Sequence, residues 1–354
     1  MKNYWAADRI KILFLGHDYF GGQFLKTILE NHSDRIEVVG ISTNLIKRRA
    51  GLKKNIKKVR GLIKKRKLLS EFKDKILLGT IINKKLLQNP PPVYHDITVA
   101  ALAQQYSIPV FDASEIYNSN VDLVSKFKVN YTIIASFGKI PESIYKNAPT
   151  QFINFHPSLL PKLRGGCPVF TAIVRKIPVT GFSFHLLSEK YDAGPLLYQQ
   201  EFKIHEADTC REVEKAIAQA GANKLHELMM GMEKQNISTL DVSNEKVTYC
   251  MKSHEINARL IPHLTSTDEL VQKIKACSSW IAGSAYIRKG IRHFYIGDAQ
   301  PSSANPMHLQ NKIEYHDEAL CIKTLDNIAI IKSVYYKKQY YIGPDLLKLK
   351  GIMY

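Results

Sequence analysis

Residues 9–43 read RIKILFLGHDYFGGQFLKTILENHSDRIEVVGIST and contain a strand, a helix and a second strand in close succession. RIKILFLG (9–16) is a β-rich apolar run that ends at Gly16, and GGQFLKTILE (21–30) has the apolar spacing of a helix. RIEVVGIST (35–43) is then a second buried strand. This order predicts a βαβ unit, in which the two strands pair in parallel.

The same alternation continues along the chain. VNYTIIASFG (129–138) and FINFHPS (152–158) supply further strands, while AALAQQY (100–106) and EVEKAIAQAGANKLHELMMGM (212–232) have helical spacing of apolar residues. We therefore predict a doubly wound, mostly parallel α/β sheet. The first turn, GHDYFGG (16–22), does not spell G-x-G-x-x-G, so a tight strand-to-helix turn is favoured over a dinucleotide site.

After about residue 248 the sequence changes character. Short β-rich runs alternate there with Gly, Asp and Asn turns, for example HFYIGDA (293–299) and IAIIKSVYY (328–336). This pattern predicts a small C-terminal β-barrel. The predicted organisation is an α/β domain over 1–232 with an insertion at 45–92, a linker over 233–248 and a β-barrel-like domain over 249–354.

The positive charge is concentrated in the insertion. The chain carries a formal net charge of +18, and residues 47–85 alone hold 16 Lys and Arg against 2 acidic residues. Apolar residues recur there every three or four positions among the lysines, which predicts one or two basic amphipathic helices. Such a segment favours a polyanionic partner, either nucleic acid or a membrane surface. A pair of solvated surface helices is the alternative interpretation.

Cysteine content and hydropathy limit where the protein works. Five cysteines are scattered without a CxxC pair, which suits a reducing compartment and argues against both a disulfide framework and a cysteine zinc site. No apolar run is long enough to span a bilayer, and residues 1–9 lack the apolar core of a signal peptide. We expect a cytoplasmic monomer, with the mitochondrial matrix as the alternative location.

The segment FINFHPSLLPKLRGGCP (152–168) carries the first candidate catalytic residues. Asn154 and His156 lie two residues apart on an apolar strand, so both side chains point to the same face. An amide that holds a carbonyl oxygen beside an imidazole that moves protons is suited to acyl transfer. The alternative is structural, with Asn154 in a turn hydrogen bond and His156 as a satisfied, partly buried histidine.

A second candidate lies in GFSFHLLSEKYDAGPLLYQQEF (181–202), where two β-rich runs flank a loop. Asp192 precedes Ala-Gly on this loop and is placed to orient or charge the histidine, as a third group does in other catalytic sets. The competing interpretation is an ordinary Asp-Ala-Gly-Pro turn between hairpin strands.

These motifs together resemble one family. H-P-S-L-L-P-K-x-R-G-G-x-P (156–168), T-G (180–181) and Y-D-A-G-P (191–195), in this order, resemble the folate-dependent formyltransferases, and within them most closely the methionyl-tRNA formyltransferases. The resemblance is strong over about 128–230, fair over 9–44 and thin beyond residue 250. It implies a formyltransferase-type Rossmann-like fold followed by an OB-like barrel.

The resemblance also implies the chemistry. An amine would attack the formyl group of 10-formyltetrahydrofolate, with Asn154 bonding the formyl oxygen, His156 supporting the oxyanion and the proton transfers, and Asp192 setting the state of the histidine. Neither a metal nor a nucleotide cofactor is implied. The implied folate-binding residues are Ser158, Leu159, Leu160, Pro161, Phe137, Gly138 and Ile140.

The acceptor is less narrowly defined, because enzymes acting on several amines share this core. The C-terminal β-rich domain, the V-T-Y-C-x-K motif at 247–252 and a basic loop after the second strand favour initiator methionyl-tRNA, and hence a role in translation initiation. An N-formyltransferase acting on an amino-sugar nucleotide is the enzymatic alternative, and a non-catalytic nucleic-acid or membrane-surface binding protein is the other. The candidate tRNA-binding residues are Arg48, Arg49, Lys53 and Lys54.

Overall fold

A computed structural model describes residues 9–43, 97–118, 122–242, 244–251, 258–279, 285–289, 292–302, 313–316, 319–337, 339–349 and 352–353. The predicted basic insertion, with the four candidate tRNA-binding residues, therefore lies outside the described residues. No helix within these ranges is long and apolar enough to cross a membrane.

The N-terminal part alternates strands and helices, as predicted. Its elements are β1 (Ile10–Gly16), α1 (Asp18–Asn31), β2 (Ile36–Thr43), α2 (Val99–Gln105), β3 (Val110–Asp112), α3 (Ala113–Asn118), α4 (Asp122–Phe127), β4 (Tyr131–Ala135), α5 (Glu142–Tyr145), β5 (Gln151–His156), α6 (Pro168–Val174), β6 (Val179–Leu186), β7 (Leu196–Lys203) and α7 (Cys210–Glu233).

These strands form one seven-stranded sheet in the order β3-β2-β1-β4-β5-β6-β7. The strands β1 to β5 pair in parallel, whereas β6 and β7 add to the edge as an antiparallel hairpin. The predicted doubly wound, mostly parallel sheet is confirmed. Because the chain order reverses between β1 and β4, a crevice opens at the carboxyl ends of the central strands, where ligands bind in this class of sheet.

The core of this domain explains why the strands are so apolar. Ile12, Leu13 and Phe14 of β1 are completely buried, since helices cover both faces of the sheet. Under β5, the Phe155 ring stacks on Phe24 of α1 with ring centroids 4.3 Å apart. This packing anchors the strand that carries Asn154 and His156.

The C-terminal part is an antiparallel sheet preceded by a helix. Its elements are α8 (Thr267–Ala276), β8 (Tyr286–Lys289), β9 (Arg292–Pro301), β10 (Ile313–His316), β11 (Ala319–Lys323), β12 (Ile328–Tyr336) and β13 (Gln339–Ile342), with 3-10 turns at Pro262–Leu264, Cys277–Ser279 and Gly343–Leu349. The strand order is β10-β11-β12-β9-β8, and β13 pairs with β12. The expected small, barrel-like β unit is confirmed, and α8 is joined to the N-terminal part by a hydrogen bond from the Gln272 side chain to the Ile173 carbonyl at 2.8 Å.

Candidate active site

Two adjacent strands bring three polar side chains together at the edge of the crevice. Asn154 of β5 pairs directly with His185 of β6, and His156 pairs with Ser183. Since alternate residues of a strand share a face, Asn154 and His156 both line the cavity there. The register between β5 and β6 adds His185 to the pair that the sequence singled out.

His156 is held by a backbone group. The side chain is buried, and its Nε2–H donates to the carbonyl of Leu163 at 3.1 Å. This bond leaves Nδ1 as the ring nitrogen that points towards Asp192, whose Oδ1 lies 3.8 Å away. That separation is too long for a direct hydrogen bond, so Nδ1 remains available to a reacting group.

Asp192 reaches the site from the loop between β6 and β7. Its backbone has a φ of 47°, in the left-handed region, and its carboxylate Oδ2 accepts the backbone N–H of Gly165 at 2.8 Å. Gly194 follows closely, and a Cβ there would lie 1.8 Å from the carbonyl oxygen of Leu186. Only glycine therefore fits at position 194 of the Asp-Ala-Gly turn, and this turn places the Asp192 carboxylate in the site.

His185 was missed from the sequence, although it completes the polar network. Its Nδ1–H donates to the carbonyl of Leu186 at 2.8 Å, so its Nε2 accepts the amide N–H of Asn154 at 2.9 Å. The second amide hydrogen of Asn154 points towards Asp192 Oδ1, 3.5 Å from the amide nitrogen. The available signal was the alternation in Phe182-Ser183-Phe184-His185, which places polar side chains on one face of an apolar strand.

Burial and the neighbouring charges set the protonation of the pair. Burial lowers the pKa of His156 below its ordinary value, although the Asp192 carboxylate opposes this shift. Burial alone would raise the pKa of Asp192, but the charge of His156, the contacts with His185 and the Gly165 N–H together lower it to about 2. At neutral pH the site therefore holds a neutral imidazole beside an ionised carboxylate.

A cavity of about 350 Å³ opens beside these side chains. Of the residues with an implied folate role, Phe137, Gly138 and Ile140 line it, at the carboxyl end of β4. Phe20, Pro168 and Glu214 also line the cavity, and the lining residues Lys139 and Lys190 are exposed.

The implied folate-binding residues at positions 158–161 are placed differently. None of the described cavity-lining residues comes from this stretch. Ser158 Oγ donates to the carbonyl of Lys162, and the Leu160 N–H donates to Ser183 Oγ. In this structure the stretch packs on β6 and supports the loop that follows, which contains Leu163 and Gly165.

The cavity is thus surrounded by an amide donor, a neutral imidazole and an ionised carboxylate. This combination suits a group-transfer enzyme in which a nucleophile attacks a carbonyl carbon. No three His, Cys, Asp or Glu side chains among the described residues form a metal-binding group.

Comparison with known proteins narrows this class. The Formyl transferase family model matches residues 11–229, and the chain belongs to this family. Methionyl-tRNA formyltransferase of Borrelia turicatae is 28% identical over 267 residues, which cover 72% of this chain and 84% of that protein. Methionyl-tRNA formyltransferase of Staphylococcus aureus strain JH1 is 26% identical over 252 residues, which cover 70% and 78% respectively.

A solved structure supports the fold. The N-formyltransferase from Helicobacter canadensis, in complex with folinic acid and dTDP-3-aminofucose, matches with a TM-score of 0.53 at 16% identity. The match covers 92% of this chain and 100% of that chain. At 16% identity, this similarity shows a shared fold only.

Proposed function

We propose that the protein transfers the formyl group of 10-formyltetrahydrofolate to the amino group of initiator methionyl-tRNA. The observation that carries this proposal is the match to methionyl-tRNA formyltransferases over 70–72% of the chain, which exceeds the extent of the shared catalytic domain. The cavity beside Asn154 and His156 is the site of the reaction.

The folate donor fits the cavity by chemistry. Phe137, Gly138 and Ile140 offer an apolar wall and backbone groups for a pteridine ring, next to the polar network that would face the formyl group. The glutamate end of a folate is anionic, and Lys139 and Lys190 supply positive charge on the exposed part of the wall. Ser158 to Pro161 act in this proposal by holding the loop behind the site.

Asn154, His156 and Asp192 divide the transfer between them. The second amide hydrogen of Asn154 points towards Asp192 Oδ1 in the structure. With folate bound, Asn154, still held by His185, donates this hydrogen instead to the formyl oxygen as that oxygen gains negative charge. His156 takes a proton from the attacking amine at Nδ1 and delivers one to N10 of the folate as the bond to the formyl carbon breaks, so protons balance. Asp192 stabilises the imidazolium that forms in between.

The acceptor would be held by charge as well as by the cavity. Contacts between Lys or Arg and phosphates give strong, salt-dependent and sequence-independent affinity for a nucleic acid. We assign this role to the basic insertion, through Arg48, Arg49, Lys53 and Lys54.

A competition assay tests the acceptor. The full-length protein is given 10-formyltetrahydrofolate with charged initiator tRNA in one arm and amino-sugar nucleotides in the other, and His156→Ala is the blank for each. We expect turnover only with the charged tRNA. Turnover confined to an amino-sugar nucleotide would replace this function with the sugar-directed one, and absence of turnover with every amine would support a binding role.

A further inference from the structure

We propose that Thr248 and Cys250 are positioning residues for the catalytic site, because they hold the loop whose backbone groups orient His156 and Asp192. The inference rests on the proposed function only in taking those two side chains as the reacting pair. The two residues belong to the V-T-Y-C-x-K motif (247–252), and neither Thr248 nor Cys250 is among the described residues that line the cavity.

The segment pairs with the loop like a short parallel strand. Arg164 forms an isolated parallel bridge with Tyr249, in which its N–H donates to the carbonyl of Thr248 at 3.0 Å and its carbonyl accepts the N–H of Cys250 at 3.0 Å. The Thr248 hydroxyl adds a further bond, since its Oγ1 accepts the N–H of Leu163 at 2.9 Å.

Cys250 closes the other end of the loop. Its Sγ accepts the backbone N–H of Cys167 at 3.3 Å. The same sulfur fills the space beside Gly165, where an added Cβ would lie 2.7 Å from it and where φ is +115°. Burial raises the pKa of the Cys250 thiol, so the group stays uncharged at neutral pH.

The held loop supplies both backbone groups that orient the catalytic pair. The Leu163 carbonyl accepts the Nε2–H of His156, and the Gly165 N–H donates to Asp192 Oδ2. Between these two groups, within the described chain, the backbone hydrogen bonds of Arg164 go to Thr248 and Cys250. Displacement of the loop therefore moves the imidazole and the carboxylate together, and misplacement by about 1 Å can cost roughly a hundredfold in rate.

Thr248→Val tests this directly, because valine keeps the shape and removes the hydroxyl. We expect kcat to fall by roughly tenfold while KM for the folate stays within about twofold. Burial, His185 and Arg164 lower the pKa of His156, whereas Asp192 and the hydrogen bond that the His156 Nε2–H donates to the Leu163 carbonyl raise it. Loss of this hydrogen bond should therefore move the acid limb of the kcat profile to lower pH. Thr248→Ser keeps the acceptor and should restore both values.

Val247→Thr is the matched control, since Val247 is exposed and adjacent. If Thr248→Val does not fold, Cys250→Ala and its conservative partner Cys250→Ser replace the pair, at a temperature where circular dichroism shows folded protein. An unshifted acid limb with kcat within twofold of wild type would overturn the inference, as would an equal loss in Thr248→Ser. An active His156→Ala enzyme would instead overturn the proposed site, so the two failures are distinguishable.

Discussion

Removing the charge of Asp192 should slow formyl transfer far more than it weakens the fold. Asp192→Asn keeps the shape of the side chain and an oxygen that can still accept the Gly165 N–H. It removes the negative charge that faces the imidazolium of His156 across 3.8 Å. Two unit charges at that distance interact by about 4 kcal/mol at an effective dielectric constant of about 20. We therefore expect kcat to fall by roughly a thousandfold.

Asp192→Asn should change the free energy of unfolding less than it changes kcat, and the sign of this change follows from the pKa of Asp192. The pKa of Asp192 is lowered from 3.8 to about 2 in the folded protein, so the ionised carboxylate stabilises the fold above the unfolded value. This contribution, about 2 kcal/mol at neutral pH, is lost as pH falls through the folded pKa. Urea titration of Asp192→Asn should show a loss of at most this size at pH 7, where His156 is neutral, and a smaller difference from wild type near pH 3.

The assay is steady-state formyl transfer at saturating folate and charged tRNA, at a temperature where both proteins are folded. Glu189→Gln removes an exposed acid from the same loop and serves as the control, with kcat expected within about twofold of wild type. If Asp192→Asn retains a kcat within tenfold of wild type, Asp192 does not stabilise a charged His156 during the reaction, and the assignment is wrong.

Three further perturbations test other parts of the molecule. Because burial lowers the pKa of His156, kcat should fall with decreasing pH only below about 6.5. Asp192→Asn should move this acid limb of the pH–rate profile to still lower pH. An acid limb above 6.5 would contradict the assignment of His156 as base. Gly194→Ala should lower the free energy of unfolding by more than about 1 kcal/mol in urea titrations, whereas Gly166→Ala, with nothing within 4 Å of the added Cβ, should change it little. Charge reversal in the insertion should raise KM for charged tRNA roughly tenfold and weaken its salt dependence, and an unchanged KM would detach the insertion from tRNA binding; the residues to reverse are Arg48, Arg49, Lys53 and Lys54.

The fold was predictable because its signals are local. Strands buried on both faces, such as β1, are apolar runs with few interruptions, of which Lys11 is one. The helix α7 (Cys210–Glu233) shows its apolar stripe over the whole of the predicted 212–232 helix. The spacing of Asn154 and His156 also predicted a shared face, and both side chains line the cavity. Each of these inferences needs only the geometry of one element.

Contacts between different elements could not be predicted from the sequence. His185 joins the network because β6 pairs with β5 in a register that sets it opposite Asn154, 31 residues away. No periodicity within either strand specifies that register. The 158–161 stretch also depends on contacts between elements, since the turn after Pro157 directs the chain onto β6, where the Leu160 N–H donates to Ser183 Oγ; its implied folate role stays a prediction.

The contacts described for the recognisable motif hold the backbone around the site in place. The Leu163 carbonyl and the Gly165 N–H orient the catalytic pair, and they would do so with other side chains at those positions if the backbone could follow the same path. This backbone path requires glycine at two positions. Gly165 has a φ of +115°, and Gly194 lies against the Leu186 carbonyl. R-G-G-x-P and D-A-G-P thus encode the turns that place Asp192 beside His156, while the proposed mechanism assigns the transfer itself to Asn154, His156 and Asp192. A segment 83 to 85 residues further on, carrying Thr248 and Cys250, is hydrogen-bonded to the first of these turns, which is why we propose that the geometry of the site depends on this segment as well.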